Sequence, residues 1–431
     1  MFWQKDLELM PPDQLRGLQA QRLRRTVEMA KKSPFYAKAL AGMDPDGITT
    51  PDDARHLPLT VKQDLRDYFP FGFLAVPRSQ VVRLHASSGT TGTPTAIFHG
   101  KADLKAWADL VARGLYMVGV RPSDVFQNLA GYGLFSGGLG MHYGAERLGA
   151  LVIPAGAGNS RRQISLMRQM GTTVMHMIPS YAHRLAAAFA EQGLDPRADT
   201  SLKIAIIGAE PHTEQARRRI EEMFGVKAYN NYGLSELNGP GVAFECAEQN
   251  GLHLWEDAFL VEVLDPTTLE PVAPGQVGEV VLTTLNRRAM PLIRYRTRDL
   301  AALLPGDCPC GRPHRRLSRI VGRSDDMFIV KGVNVYPMQV EAVLMGHKPV
   351  GGNYLIVLES RESGDAMIVR AELRPEAAGL SPEERSGLAR SLAKDLRDEL
   401  LLTPAVEICD PGALPVAQGK AERVQDRRKL S

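Results

Sequence analysis

Thr173-Val174-Met175-His176-Met177-Ile178, then Ser180 to Gln192, then Leu202-Lys203-Ile204-Ala205-Ile206-Ile207, then Thr213 to Phe224, then Val226 to Tyr229: apolar runs of strand length alternate here with segments of helical period. The alternation reads as βαβαβ and predicts a parallel sheet with helices on its faces. Sheets of this kind bind ligands beyond the carboxyl ends of their strands. Polar clusters follow two of those ends. Gly208-Ala209-Glu210 closes one strand and Asn230-Asn231-Tyr232-Gly233-Leu234-Ser235-Glu236 closes the next, so both are expected to face one crevice.

Upstream, the strand-like Val81-Val82-Arg83-Leu84-His85 runs into Ser87-Ser88-Gly89-Thr90-Thr91-Gly92-Thr93-Pro94-Thr95, a stretch without an apolar side chain. Glycine lets the backbone approach an anion, successive N–H groups form a nest, and hydroxyls add neutral donors. This composition suits a polyphosphate, although a polar surface turn uses the same residue types. A Walker loop would end in Gly-Lys-Ser/Thr, and Gly92-Thr93-Pro94 stands there instead. No Gly-x-Gly-x-x-Gly follows a strand and no Gly-x-Ser-x-Gly elbow is present, which sets dehydrogenases and serine hydrolases aside.

The chain has 431 residues, 44% of them apolar, enough for a large core and two or three domains. Its 52 basic and 49 acidic residues are interspersed and leave a net charge of +3, no footprint for nucleic acid. Four cysteines do not make a disulfide framework, no apolar run is long enough to span a bilayer, and the first residues lack a signal-peptide pattern. These features predict a cytoplasmic protein with no membrane and no nucleic-acid partner.

Beyond Trp255 the segments become short and turn-punctuated, as in Val261-Glu262-Val263-Leu264 and Gly278-Glu279-Val280-Val281-Leu282, which predicts a smaller β-rich subdomain. After the polar link Gly322-Arg323-Ser324-Asp325 come strand-like Phe328 to Val330, Asn353 to Leu358 and Ala366 to Leu373, one long helix, and strand-like Val406 to Cys409. The helix is well marked. Ser381 caps it, Pro382 suits the first position, Glu384 completes a capping box, and Leu388, Leu392, Leu396 and Leu400 form its apolar face. The expected division is a large N-terminal α/β domain over residues 1–323 and a small C-terminal α+β domain over 324–431.

The hydroxyl-rich loop, Gly208-Ala209-Glu210, Tyr232-Gly233-Leu234-Ser235-Glu236, Tyr295-Arg296-Thr297-Arg298-Asp299, Gly322-Arg323-Ser324-Asp325-Asp326 and Gly419-Lys420 stand in the order and spacing of the acyl-adenylate-forming ligases. Within that superfamily the chain most resembles the phenylacetate–coenzyme A ligases. That closer likeness lies in His85 to Gly92, Tyr132-Gly133-Leu134-Phe135, His142-Tyr143-Gly144-Ala145-Glu146, Ile293 to Asp299 and Lys331-Gly332-Val333-Asn334-Val335-Tyr336-Pro337. The resemblance implies a two-step reaction. A carboxylate attacks the α-phosphorus of ATP to give an acyl-adenylate and pyrophosphate, and the thiol of coenzyme A then attacks the acyl carbon. The family also tends to dimerise, which makes a homodimer an expectation.

By the same resemblance, Lys420 supplies positive charge to the reacting phosphorus and Glu236 holds Mg²⁺ against the triphosphate. Ser87, Ser88, Gly89, Thr90, Thr91 and Gly92 bind phosphate. Tyr232 stacks on adenine, Gly208, Ala209, Glu210, Asn231 and Gly233 line the nucleotide, and Asp299 accepts the ribose hydroxyls, with Arg323 on ribose or phosphate. The residue types suit these roles, since a carboxylate fits a diol or a hard cation and an aromatic face fits a purine. Asp325 falls at the hinge about which the small domain is expected to rotate between the two half-reactions, and the Lys331-Gly332 loop would then reach the pantetheine channel.

Ala130, Tyr132, Phe135 and His212 are the expected acyl pocket. The family commonly has an aromatic residue where Ala130 stands and a tryptophan where His212 stands, so an aromatic acid bulkier or more polar than phenylacetate is expected. Thr93 replaces a lysine common in the family. Cys246, His253, Cys308 and Cys310 offer a Cys3His set for a structural zinc, and free buried cysteines are the competing reading. Two other functions stay open at this stage: loading of the acid onto a carrier-protein phosphopantetheine, and nucleotide binding without catalysis.

Overall fold

A computed structural model describes residues 2–86, 94–361, 364–415 and 422–428. At its centre is a twelve-stranded sheet. In one half, Leu151–Ile153, Val125–Asn128, Val174–Met177, Ile204–Gly208 and Lys227–Leu234 lie side by side, all parallel. Alternate residues of these strands serve opposite cores, as a period of two requires. Phe126, Val174 and Ile206 join the cluster beneath helices Lys101–Met117 and Ser136–Leu148. Met175, Met177, Ala205 and Ile207 join the one beneath Ser160–Met170, Pro179–Ala190 and Glu214–Phe224. Burial on both faces explains why these strands read as unbroken apolar runs.

The βαβαβ expectation therefore matches the chain, with two differences. The strand starting at Lys227 does not stop at Tyr229 but runs to Leu234, because its second half pairs antiparallel with Gly239–Glu245. The β-rich segment is not a sheet of its own. The short strand Arg316–Leu317 pairs with Leu252–Leu254 on one side and Tyr295–Leu304 on the other, and so joins Phe259–Leu264, Val277–Thr284 and Tyr295–Leu304 to the central sheet.

A small C-terminal α+β domain has its own apolar cluster around Val330, Val335, Val340, Leu344, Ile356, Leu358, Val369, Leu392 and Leu396. Its four-stranded sheet pairs Val350–Arg361 with Gly364–Leu373 and adds Ala405–Cys409 and Val424–Asp426 at the edges. Helix Pro382–Leu400 begins with the expected reciprocal cap: the Glu384 N–H donates to Ser381 Oγ at 3.2 Å and the Ser381 N–H to Glu384 Oε2 at 2.7 Å. Leu392, Leu396 and Leu400 are buried and Leu388 is partly so.

This domain docks on helix Glu214–Phe224, and Arg219 of that helix reaches into it. Arg219 is buried and donates to the carbonyls of Met345 (2.6 Å), His347 (3.0 Å) and Val350 (2.8 Å), where helix Pro337–Gly346 ends. Carbonyls left over at a helix C-terminus carry partial negative charge and lack intrahelical partners, so a guanidinium suits them. Burial lowers the Arg219 pKa to about 10, which leaves it charged at neutral pH. Nearby, the Thr213 N–H donates to Glu341 Oε1 at 3.3 Å, and Gly352 sits so close to His183 that a Cβ there would lie 2.0 Å from the ring.

Removing Arg219 takes this donor from three carbonyls, of which Val350 keeps another in Arg374 at 3.3 Å and His347 another in the Val350 N–H at 3.1 Å. Hydrogen bonds to charged groups contribute about 1.5–3 kcal/mol each, so Arg219→Ala is expected to lower the docked population roughly tenfold or more. Small-angle scattering should report a larger radius of gyration; an unchanged curve would mean that the docking does not depend on this residue.

Candidate functional site

The carboxyl ends of Ile204–Gly208 and Lys227–Leu234 are neighbours, with Gly208 in register with Asn231. A Cβ on Gly208 would lie 2.5 Å from the Asn231 side chain and carbonyl, and one on Gly233 would lie 1.7 Å from the Gly239 carbonyl oxygen. Only glycine fits at either place. Between them Ala209 takes a left-handed φ of 69°, and Glu210 turns back to accept from Ser180, 3.0 Å from its N–H and 2.9 Å from its hydroxyl.

Tyr232 is buried and its hydroxyl donates to Asp299 Oδ2 at 2.6 Å. Burial and the adjacent Asp299 charge hold the phenol well above its ordinary pKa, so it remains a donor. The other Asp299 oxygen accepts from Arg323 at 2.9 Å, and Arg323 forks onto both Asp325 oxygens at 2.9 and 3.0 Å. Strand register explains the meeting, since Asp299 pairs with Arg323 across the sheet. Arg298 turns elsewhere, to Glu279 at 3.5 Å. One chain of contacts thus links the residues expected at adenine, ribose and hinge.

Glu236 lies in the turn after this strand, buried, with its carboxylate 3.3 Å from Lys62. The sequence reading missed Lys62, which lies far upstream in a helix, Lys62–Asp67, of no distinctive composition. Its placement comes from Thr60, which donates its N–H to the Arg294 carbonyl at 3.0 Å and accepts from the Arg296 N–H at 2.9 Å. Arg287, also missed, donates to the Glu236 carbonyl at 2.5 Å. Ser87, Ser88, Gly89, Thr90, Thr91, Gly92 and Lys420 lie outside the described residues. Val81–Ala86 and Ala96–Gly100 pair antiparallel from Ala86↔Ala96 outward.

Ala130, Tyr132 and Phe135 follow the carboxyl end of Val125–Asn128. Asn128 donates to the Tyr132 hydroxyl at 2.9 Å and to the Gly138 carbonyl at 2.7 Å, while its Oδ1 lies 2.8 Å from His176 Nδ1. Tyr132 also meets His142 Nδ1 at 3.2 Å. Burial lowers the His176 pKa to about 4 and raises that of Tyr132 to about 12, so these two side chains are uncharged near neutral pH. His212 does not offer the free hydrogen-bonding group expected of it. Its Nδ1 lies 3.2 Å from the Glu210 carbonyl and its Nε2 lies 2.9 Å from Arg319, so both nitrogens are engaged, and the ring lines the cavity under the small domain with His183 and Glu341.

The four expected metal ligands are gathered. The ligand atoms of Cys246, His253, Cys308 and Cys310 all lie within 4.8 Å of one another. Cys246 and Cys308 sulfurs are 3.6 Å apart, and Cys310 Sγ is 3.2 Å from His253 Nε2. His253 Nδ1 faces the His314 carbonyl at 3.1 Å, which fixes the tautomer and turns the Nε2 lone pair towards the thiols.

The AMP-binding enzyme family matches residues 59–286, and the AMP-binding enzyme C-terminal domain matches 332–428. The chain belongs to the AMP-binding enzyme family, among the phenylacetate–coenzyme A ligases. It is 45% identical to the phenylacetate-coenzyme A ligase of Thermus thermophilus and 43% identical to that of Pseudomonas putida, with 100% of each chain covered in both cases. Among solved structures it resembles 2-hydroxyisobutyryl-CoA ligase in the postadenylation state with R3-HIB-AMP, at 31% identity and a TM-score of 0.92, over 99% of this chain and 92% of that one. With the same ligase in the thioesterification state with 2-HIB-AMP and CoA, at 32% identity over 99% and 93% of the two chains, the TM-score is 0.73. The present arrangement of large and small domains follows the former.

Burial lowers the His212 pKa to about 3, so the folded protein keeps this ring neutral while the unfolded chain protonates it below about pH 6.5. Stability contributed by the neutral ring is complete above the unfolded value and is lost as pH falls towards the folded one. His212→Gln should flatten the fall in unfolding free energy between pH 6 and pH 4 by about 1.4 kcal/mol per pH unit. Urea titrations at several pH values measure this, and parallel slopes for the two proteins would contradict it.

Proposed function

We propose that the chain activates an aromatic carboxylic acid with ATP, forming an acyl-adenylate and pyrophosphate, and then transfers the acyl group to coenzyme A. The observation that carries this reading is end-to-end identity of 45% with a phenylacetate-coenzyme A ligase, joined to the convergence of Tyr232, Asp299, Arg323 and Glu236 at the carboxyl edge of the sheet.

In this reading Asp299, held by Tyr232 and Arg323, receives the ribose, and Glu236 receives Mg²⁺ that accompanies ATP. Lys62, at the same carboxylate, gives the site a cation on the large domain; Lys420 gives it one on the small domain. A carboxylate and a triphosphate repel each other, so positive charge and backbone donors around the α-phosphorus are what the first step requires. The large domain takes residues 1–323, the small one 324–431, and Asp325 is the hinge. The fork from Arg323 to Asp325 would open and reform as the small domain turns.

The acid is an aryl acid bulkier than phenylacetate. Ala130 supports this by leaving room beside Tyr132 and Phe135; His212, with both nitrogens engaged, gives no argument for a polar substituent. Aryl-acid-dependent pyrophosphate exchange tests the whole reading. It should appear with ring-extended aryl acids at a higher kcat/KM than with phenylacetate, and should fall at least 100-fold in Lys420→Ala with ATP binding retained. Absence of exchange with every aryl acid would overturn the reading, and phenylacetate as the best substrate would overturn the assignment of Ala130.

The Cys3His cluster is assigned to one structural zinc. Zn–S bonds of about 2.3 Å put tetrahedral sulfurs about 3.8 Å apart, close to the 3.6 Å between Cys246 and Cys308. Four protein ligands leave no open position, so the ion would cross-link the strand region of residues 246–253 to the loop of 308–310 and take no part in the chemistry. Elemental analysis should find one zinc per chain, lost in Cys308→Ser together with thermal stability. Metal-free protein of undiminished melting temperature would remove the zinc.

A further inference from the structure

Arg287 is buried just after strand Val277–Thr284, and among the described residues no carboxylate forms an ion pair with it. The buried Arg113 and Arg312 differ, since each meets a carboxylate at 2.6 Å, Asp257 and Glu8 respectively. Arg287 directs its two terminal nitrogens at main-chain oxygens instead. One donates to the Glu236 carbonyl at 2.5 Å and the other to the Phe98 carbonyl at 3.2 Å. The first carbonyl belongs to the turn whose carboxylate is proposed above to receive Mg²⁺. The second belongs to strand Ala96–Gly100, which follows the hydroxyl-rich stretch in sequence.

The segment around Arg287 is itself held in place. Asp103, also buried, accepts the N–H groups of Arg288 at 2.7 Å, Ala289 at 3.1 Å and Gly100 at 2.8 Å. Its carboxylate thus ties the end of strand Ala96–Gly100 to residues 288 and 289, and the neighbouring guanidinium ties them to Glu236. Burial pulls the Arg287 pKa down to about 10, against the opposing charges of Asp103 and Glu236, so the side chain stays charged at neutral pH. A buried charge without a bonded countercharge is costly to the fold. The ground around it is costly too. Arg287 Nε, His85 Nε2, both ring nitrogens of His99 and the side-chain amide of Asn238, two residues past Glu236, are buried and find no hydrogen-bond partner among the described residues. The His85 and His99 rings are 5.5 Å apart, and burial, helped by the Arg287 charge, holds both below the ordinary histidine pKa. Departures of this kind from a fully paired interior collect at functional sites.

We propose that Arg287 is a positioning residue for the magnesium-dependent half-reaction: its planar fork fixes the Glu236 turn against strand Ala96–Gly100, so that the carboxylate meets a metal ion already placed on the triphosphate. The proposal rests on the assignment of Mg²⁺ to Glu236. The guanidinium touches no substrate and acts through the main chain of Glu236, as groups behind a metal ligand do when they orient it. Arginine suits this task better than lysine, because two donors at fixed divergence reach two carbonyls at once, whereas one ammonium on a flexible stem does not.

Arg287→Met in the full chain should raise the Mg²⁺ concentration that gives half-maximal aryl-acid-dependent pyrophosphate exchange by about tenfold, and Arg287→Lys should raise it by about threefold. The KM for the acid should not move. Thioester formation from preformed acyl-adenylate should keep its wild-type rate in both variants, because the metal leaves with pyrophosphate in the first step. Calorimetry reads the same contact without turnover: Mg²⁺ should tighten ATP binding to the wild-type chain, and about tenfold less in Arg287→Met. A folded Arg287→Met protein with the wild-type Mg²⁺ dependence would overturn the assignment, as would equal losses in both half-reactions, which mark a merely structural residue. Should that variant fail to fold, a wild-type Mg²⁺ dependence in Arg287→Lys would overturn it. If the wild-type chain shows no exchange with any aryl acid, the activation reading fails, and the calorimetric difference between wild type and Arg287→Met still decides the anchor.

Discussion

Asn231 pairs in parallel with Gly208 on one side and antiparallel with Phe244 on the other, so the strand Lys227–Leu234 is where the two halves of the sheet meet. The site depends on that join. Tyr232, one residue further along, can reach Asp299 in the antiparallel half only if both halves keep their register, and the two close approaches at Gly208 and Gly233 leave little freedom to slip. Arg323 and Asp325 are held in turn by Asp299, so the start of the small domain is tied to the same join. The proposed nucleotide site and the proposed hinge both follow from one strand pairing.

Part of this was legible in the sequence because burial on both faces writes strands as apolar runs, and because caps are local. Val174–Met177, Ile204–Gly208 and the Ser381 cap are examples. Helix Ser136–Leu148 was not legible. Its glycines lower helix propensity, but contacts that no local rule can see require them: a Cβ on Gly140 would lie 2.4 Å from Trp107, and one on Gly144 2.2 Å from Val111. Lys62 escaped for a related reason. Its approach to Glu236 is fixed by Thr60 joining a distant strand, and a lone lysine in a short polar helix carries no signal of that. The arginine that engages His212, Arg319, comes from another part of the chain, and no local pattern announces that contact.

The cysteine cluster illustrates the opposite case. Its two pairs of ligands are loosely spaced in sequence, yet strands Leu252–Leu254 and Arg316–Leu317 run side by side and bring residues 246–253 against 308–310. The same segment then anchors the start of the chain: Arg312 reaches buried Glu8 at 2.6 Å, and His314 Nε2 lies 2.9 Å from the Leu7 carbonyl. A cross-link at the cluster would therefore stiffen ground that the large domain already uses to hold its first helices.

Arg219 grips the small domain by three main-chain oxygens and by the Met345 sulfur at 3.4 Å. The oxygens of such a handle belong to the main chain, although Met345 and Val350 are also buried in the small domain's core. Substitution there is limited by packing, whereas inserting or deleting a single residue in the turn would misalign the three oxygens together. The length of this segment, more than its spelling, is what inheritance has to preserve.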